Sequence, residues 1–355
     1  MWAMLRAAAM LCGLFTAANA SELRATPYFS ARVFGVAEPV SVYQYASDFE
    51  GKLRKGADGA LFARVEAGLR INAWEFSLVR DQYYVSDANR DTAELYFRDQ
   101  NNLSLPPGRT FAVDLDVVVM EAQGLRLGRL FSPVRNLNMD VGVAYLEGKR
   151  LVDGVLEGTA VQTTPTQLDV AFGLNYHYSH DEKLFDRNVR RPEGEGFTVD
   201  WSGEWRVSSL WTFSWLVDDL YGRMYWERAP FTTAQANTQV SGGLSGAQPV
   251  LTGLESSKDF TQRLKPHGAV NLLARFGGHR LGVGGHYAQI DFIPSVIWSP
   301  LSTSVVTCSF HWLPEHDALG LELASRWLRF SWIADDLNYK QAHIANLQLA
   351  IQIPL

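Results

Sequence analysis

Residues 197–207 read Phe-Thr-Val-Asp-Trp-Ser-Gly-Glu-Trp-Arg-Val, with an apolar side chain or glycine at every odd position and a polar one at every even position. A strict two-residue period is the signature of a β-strand with one oily and one wet face. Eleven residues is also about the length a tilted strand needs to cross a bilayer. The oily face carries Phe197, Trp201 and Trp205; the wet face carries Asp200, Glu204 and Arg206.

The pattern recurs along the chain. Leu61, Ala63, Val65, Ala67, Leu69 and Ile71 oppose Arg64, Glu66 and Arg70, while Phe111, Val113, Leu115, Val117 and Val119 oppose Asp114 and Asp116. In 167–179, Leu168, Val170, Phe172, Leu174, Tyr176 and Tyr178 oppose Asp169, Asn175 and His177. In 303–312, Val306, Cys308, Phe310 and Trp312 oppose Thr307, Ser309 and His311. Weaker versions run through 137–146, 211–218, 267–276 and 279–288. Connections as short as Ser208-Ser209 and Pro314 to Asp317 imply antiparallel neighbours. The expected fold is all-β: a membrane-spanning, antiparallel, up-and-down barrel of about 16 strands, with 14 as the alternative, since bacterial barrels close on an even number. One short helix is expected, over Thr92 to Asn101.

The first twenty residues hold a single charge, Arg6, then an apolar run from Ala7 to Ala17 and the small-x-small site Ala18-Asn19-Ala20. This is the layout of a cleavable signal peptide over 1–20. Residues 21–58 alternate poorly and read as an N-terminal periplasmic segment, a plug or a first strand; 59–355 read as the barrel. Cys308 is the one cysteine beyond the leader, which excludes an intramolecular disulfide. Beyond the leader no run approaches eighteen apolar residues, so membrane-spanning helices are not expected. Alternating strands average away in hydropathy, consistent with 47% hydrophobic residues and a net charge of −6. The 12% aromatic content suits two interfacial girdles. No basic cluster points to nucleic acid.

Low-order stretches, read as loops, are Ser86 to Arg109, Ser179 to Glu195 and Ala229 to Asp259. With strict up-and-down alternation they do not all fall on one side. Phe213-Ser214-Trp215-Leu216-Val217-Asp218-Asp219-Leu220 is echoed by Phe330-Ser331-Trp332-Ile333-Ala334-Asp335-Asp336-Leu337. Each is read as a strand leaving the membrane and turning on Asp-Asp, in preference to a pair of cation sites. No catalytic constellation stands out: adjacent Asp residues on a strand point to opposite faces, and so do His177 and His180. An enzyme, a metal site and a cofactor are therefore not expected.

The C-terminal strand resembles a known feature. Ala345, Leu347, Leu349, Ile351, Ile353 and Leu355 form an apolar face against Asn346, Gln348 and Gln352. Outer-membrane barrels of Gram-negative bacteria end in such a strand, typically on Phe or Trp where this chain has Pro354-Leu355. The resemblance implies an integral outer-membrane location, with outer-membrane lipids and lipopolysaccharide as surroundings and the barrel-assembly machinery as a partner reading that strand. The Asn-Pro-Ala and Gly-rich N-terminal signatures of the long-chain fatty-acid channel family are absent, so the resemblance names an architecture and no specific family.

Alternation places Arg64, Glu66, Arg70, Asp114, Asp116, Asp169, His177, Asp200, Glu204, Arg206 and His311 towards the lumen. Both signs of charge along a lumen suit a water-filled pore, and a lumen closed by ion pairs would show the same set. A porin-like channel or transporter for small solutes is the expected function. A plugged structural or export barrel is the alternative, and an outer-membrane hydrolase trails both. On this reading Trp201 tolerates Leu but not Arg, and Asp200 accepts Asn with little effect on assembly.

Overall fold

The computed structural model describes residues 25–164, 167–180, 190–238, 250–303 and 305–353; the expected leader over 1–20 and Pro354-Leu355 lie outside the described residues. Its strands are β1 (Ala25–Ala37), β2 (Gly59–Ile71), β3 (Trp74–Ala88), β4 (Thr110–Val134), β5 (Leu137–Thr164), β6 (Gln167–Tyr178), β7 (Glu193–Arg206) and β8 (Trp211–Asn237). They continue as β9 (Val250–Leu264), β10 (His267–Phe276), β11 (His279–Tyr287), β12 (Phe292–Ser302), β13 (Val306–Leu313), β14 (Ala318–Ser325), β15 (Leu328–Ala334) and β16 (Ile344–Gln352). Every pairing is antiparallel, and β1 closes on β16 from Tyr28↔Gln352 to Val36↔Ile344. Residues 25–37 therefore stand in the wall as a strand of the ring.

Sixteen strands are present, but fourteen close the ring and two lie outside it. The cause is a shared gap. β7 fills the space between the lower halves of β5 and β8, and β6 fills the same space higher up, pairing with Val152–Thr164 of β5 and Phe231–Asn237 of β8. Likewise β10 pairs with Trp211–Asp218 of β8, and β9 with Gly222–Asn237 above it. β6 and β7 run the same way, as do β9 and β10, so each pair is one descending strand interrupted partway. This resolves the loop problem: β6 ends at Tyr178 and β7 starts at Glu193 partway along the same gap, and residues 181–189 of the expected loop lie outside the described residues. The supposed loop 229–259 is largely strand, in β8 and β9, and its residues 239–249 lie outside the described residues.

Both ends of the described chain and the tight turns Asn72-Ala73, Arg135-Asn136 and Gly277-Gly278 sit at one end of the ring. Outer-membrane barrels carry short turns towards the periplasm and long loops outside, which makes the opposite end extracellular. Residues 38–58 lie at that end, with the short helix α1 (Val42–Tyr45), and so do 89–109, with helix α2 (Arg90–Gln100). Asn89 caps α2 by accepting from Thr92 N at 2.8 Å, and Glu94 and Arg98 pair at 2.8 Å one turn apart. These are the local signals that start and hold a helix.

The outward face is apolar, as alternation requires: Leu78, Leu125, Leu281, Val283 and Leu319 are all exposed to the surroundings. One expectation needs correcting. Phe111 and Val113 do face outward, yet both are buried, because β4, β5, β6, β8 and β9 rise above the ring as an extracellular sheet. There Phe111 packs with Ala160 and Val170 beneath Leu95 and Leu105, from α2 and the segment after it. Protein covers this patch where lipid was expected.

Candidate functional site in the lumen

The inward face is built in two layers. The upper one is apolar, with Phe62, Met120, Leu146, Leu151, Met224, Trp226, Ile293 and Ile344 among its buried members. β9 contributes Leu264 and Gln262, whose amide donates across to the carbonyls of Val119 at 3.1 Å and Val152 at 3.4 Å. Beneath it lies a charged layer.

A bulge organises that layer. Val199 of β7 pairs with Tyr221 of β8, and Trp201 with Val217, so four residues of β8 advance where β7 advances two. Asp219 takes a positive φ of 53°, conformational space that Asp tolerates better than most residues. The bulge turns both carboxylates inward, and Asp218 and Asp219 are both buried. The neighbouring gap is broken at the same height, at Lys265-Pro266 between β9 and β10. Proline has no N–H to give a ladder.

Two arginines act as hubs. Arg64 of β2 grips Asp81 with two bonds, Nε to Oδ1 at 2.6 Å and Nη2 to Oδ2 at 3.0 Å. Its Nη1 reaches Asp200 at 2.7 Å and Asp218 at 3.1 Å on the far strands β7 and β8. Arg126 of β4 binds Glu75 at 3.1 Å, Asp140 at 3.0 Å and Asp200 at 3.2 Å. Asp200 thus joins the two hubs. Arg32 adds a 3.0 Å bond to Asp218, and Arg70 Nε one of 2.8 Å to Glu75. A Cβ on Gly142 would fall within the Arg126 guanidinium, so any larger residue there would push that side chain from its place. Asp219 Oδ1 and His267 Nδ1 have no hydrogen-bond partner among the described residues. The His267 ring stacks on Phe62 at 3.8 Å. Between the layers is a cavity of about 60 Å³ touching Phe62, Tyr83, Asp218, His267, His286 and Asn346. That is room for about two waters.

The sequence-predicted lumen residues fall at several heights. Arg64, Glu66 and Asp200 are buried in the charged layer, with Arg70 at its lower edge. Glu204 and Arg206 form a 3.3 Å pair near the periplasmic mouth. His311 sits 3.4 Å from Glu322, away from the hubs. Asp114, Asp116, Asp169 and His177 lie higher, on the lumen side of the extracellular sheet. Asp114 and Asp116 are exposed there, while His177 is buried against Phe260 at 3.8 Å. The expected tolerance of Asp200→Asn does not fit the structure, because that carboxylate is buried and serves two guanidiniums. Sequence reasoning missed Arg32, Glu75, Asp81, Arg126, Asp140, Asp218, Asp219 and His267. The two Asp-Asp echoes proved unlike: Asp335 does turn the chain, accepting from His343 N at 2.7 Å, whereas Asp218-Asp219 lies inside the barrel. Among the described residues no group of three or more His, Cys, Asp or Glu is arranged to hold a metal ion.

A closed antiparallel ring, apolar outside and charged within, is an integral outer-membrane β-barrel of the Gram-negative type. No family model matches the chain, and no curated protein matches it. Among solved structures it is similar to the monoaromatic hydrocarbon channel TodX in a deltaS2S3 mutant, with 7% identity and a TM-score of 0.41 over 94% of this chain and 91% of that one. The P. putida toluene transporter TodX stands at 9% and 0.36, over 94% and 89%. The Ralstonia pickettii toluene transporter TbuX stands at 11% and 0.31, over 94% and 90%. Likeness at that level says nothing about what this barrel carries.

Proposed function

We propose that the protein is a transport-type outer-membrane barrel for small solutes, with a lumen closed at rest rather than a standing pore. The observation that carries this reading is the span of the Arg64 hub. Its bonds to Asp81 stay on a neighbouring strand, while those to Asp200 and Asp218 cross the lumen. Breaking a buried pair by removing one partner costs about 3–5 kcal/mol, whereas exchanging partners between carboxylates costs far less. A hub with several carboxylates in reach can therefore release one strand while holding another, which suits a gate.

Planar-bilayer recording with liposome swelling tests this. The wild type is expected to be silent in steady conductance yet to pass small solutes slowly. The pair Arg126→Ala with Trp226→Ala, thinning both layers, is expected to open a steady current. A large standing conductance in the wild type would overturn the closed lumen. Silence and impermeability in both proteins would favour a structural barrel instead.

A further inference from the structure

On β8 the outward side chains climb from Trp211 through Phe213, Trp215 and Val217 to Tyr221 and Arg223. With the bulge's extra residues removed, that is roughly ten strand steps. At about 3.3 Å per step and a tilt near 40°, the climb is about 25 Å, the height of the apolar band of such barrels. Arg223 therefore stands where the outer-leaflet headgroups begin. Its neighbours in the same row, Phe197 and Tyr145, are exposed aromatics of the girdle.

Directly opposite Arg223 on β9 is Arg263. Both are exposed, and the inward positions flanking them (Gly222, Met224, Gln262 and Leu264) are buried. Like charges placed opposite one another across a sheet repel, and neither arginine has an ion pair among the described residues. The contact of Arg223 is the Tyr221 ring, at 5.0 Å. Other outward cations of this rim are answered: Arg80 and Arg150 share Glu121 at 3.8 and 3.7 Å, and Arg228 has Glu227 at 3.6 Å. An unanswered pair of guanidinium forks at headgroup height, beside aromatic rings, is complementary to a phosphate monoester whose acyl chains run down the apolar face.

We infer that Arg223 and Arg263 together bind the phosphate of a phosphorylated glycolipid in the outer leaflet. This gives the expected lipopolysaccharide surroundings a definite site, independent of whether the lumen transports. Native mass spectrometry of the detergent-purified barrel tests it with three probes: diphosphorylated lipid A, the same lipid without phosphates, and inorganic phosphate. The wild type is expected to retain the phosphorylated lipid about tenfold better than the stripped one. R223Q/R263Q should abolish that preference, R263Q alone should weaken it, and R80Q should keep it, all with unchanged heat-modifiable migration. Equal retention of both lipids by the wild type would overturn the site. So would an undiminished preference in R223Q/R263Q, or an equal loss in R80Q. Displacement of the lipid by an equal concentration of inorganic phosphate would overturn the lipid as occupant.

Discussion

The two sides of this barrel are built differently. From β11 to β16 the strands are 7 to 11 residues long, whereas β4, β5 and β8 run to 25, 28 and 27. The short side lines the lumen with small hydroxyls and amides: Ser295, Ser299, Ser309, Ser331 and Asn346 are buried there. The long side and the adjoining β1 to β3 hold the arginine hubs and their carboxylates. Irregularity is denser where the hubs are. The bulge at Asp218–Asp219, the break at Lys265-Pro266 and the extra residue of β5 opposite Glu121 and Ala122 fall on the long side, against one bulge on the short side, between Trp298 and Leu301 of β12. A regular ladder offers one inward side chain per two residues, so crowding several carboxylates around one guanidinium requires departures from it.

Breaking the hub should show the contrast most strongly. Arg64→Ala leaves Asp81 without a guanidinium, takes one of two from Asp200 and from Asp218, and should cost about 3–5 kcal/mol. Ser331→Ala on the short side should cost about 1 kcal/mol or less. Urea unfolding in lipid, read by tryptophan fluorescence, compares them; equal losses would remove the distinction. The next effect concerns what covers the outward face. Val283→Arg, in the lipid belt of the short side, should cost about 2–4 kcal/mol, and Tyr225→Arg, above the belt on the long side, about 0–1 kcal/mol. If both variants assemble equally poorly, the long side is immersed deeper than its girdle indicates.

A smaller effect tests the helical cover. Asn89→Ala removes the cap of α2 and should cost about 1 kcal/mol, raising amide exchange in 90–100 and around Phe111 while the ring stays protected. The smallest is a pH effect confined to the extracellular sheet. Burial, helped by Lys258, pushes the His177 imidazole from its ordinary 6.5 down to about 4. The folded chain then binds fewer protons than the unfolded one between those values. Its contribution is therefore complete above about 6.5 and is lost as pH falls towards about 4. Asp153, the cross-strand partner of His177, is pushed up to about 6, chiefly by burial, and works in the opposite sense. The test is accordingly the difference between wild type and His177→Gln. Acid-induced exchange in 171–177 should shrink in the variant; identical profiles would remove His177 as the cause.

Much of the wall was legible. The eleven lumen assignments came from alternation within single strands, and a two-residue period survives any tertiary arrangement in which one face is oily. The ring count was harder. Period alone does not reveal that two segments stack in one gap, although Pro266 between two apolar runs marks the place where a ladder stops. The fate of Phe111 and Val113 was hidden because a lipid-facing residue and one covered by a helix read alike. Asp218-Asp219 was hidden for another reason. Here a bulge with Asp219 in the left-handed region lets the neighbouring side chains share a face, and nothing in the pair distinguishes it from Asp335-Asp336, which turns.

Closure of the ring sets a clock on assembly. Tyr28 pairs with Gln352, and Pro27 O accepts from Ile353 N at 3.0 Å, so the seam joins the two ends of the described chain. Every other neighbouring pair in the wall can form while later segments are still unplaced; this one requires nearly the whole polypeptide. Contacts so distant in sequence carry the largest loop-closure entropy and form late. Until β16 arrives, β1 presents an open edge with unpaired N–H and C=O groups. The interval before that last pairing is when the chain is most exposed to capture by another strand.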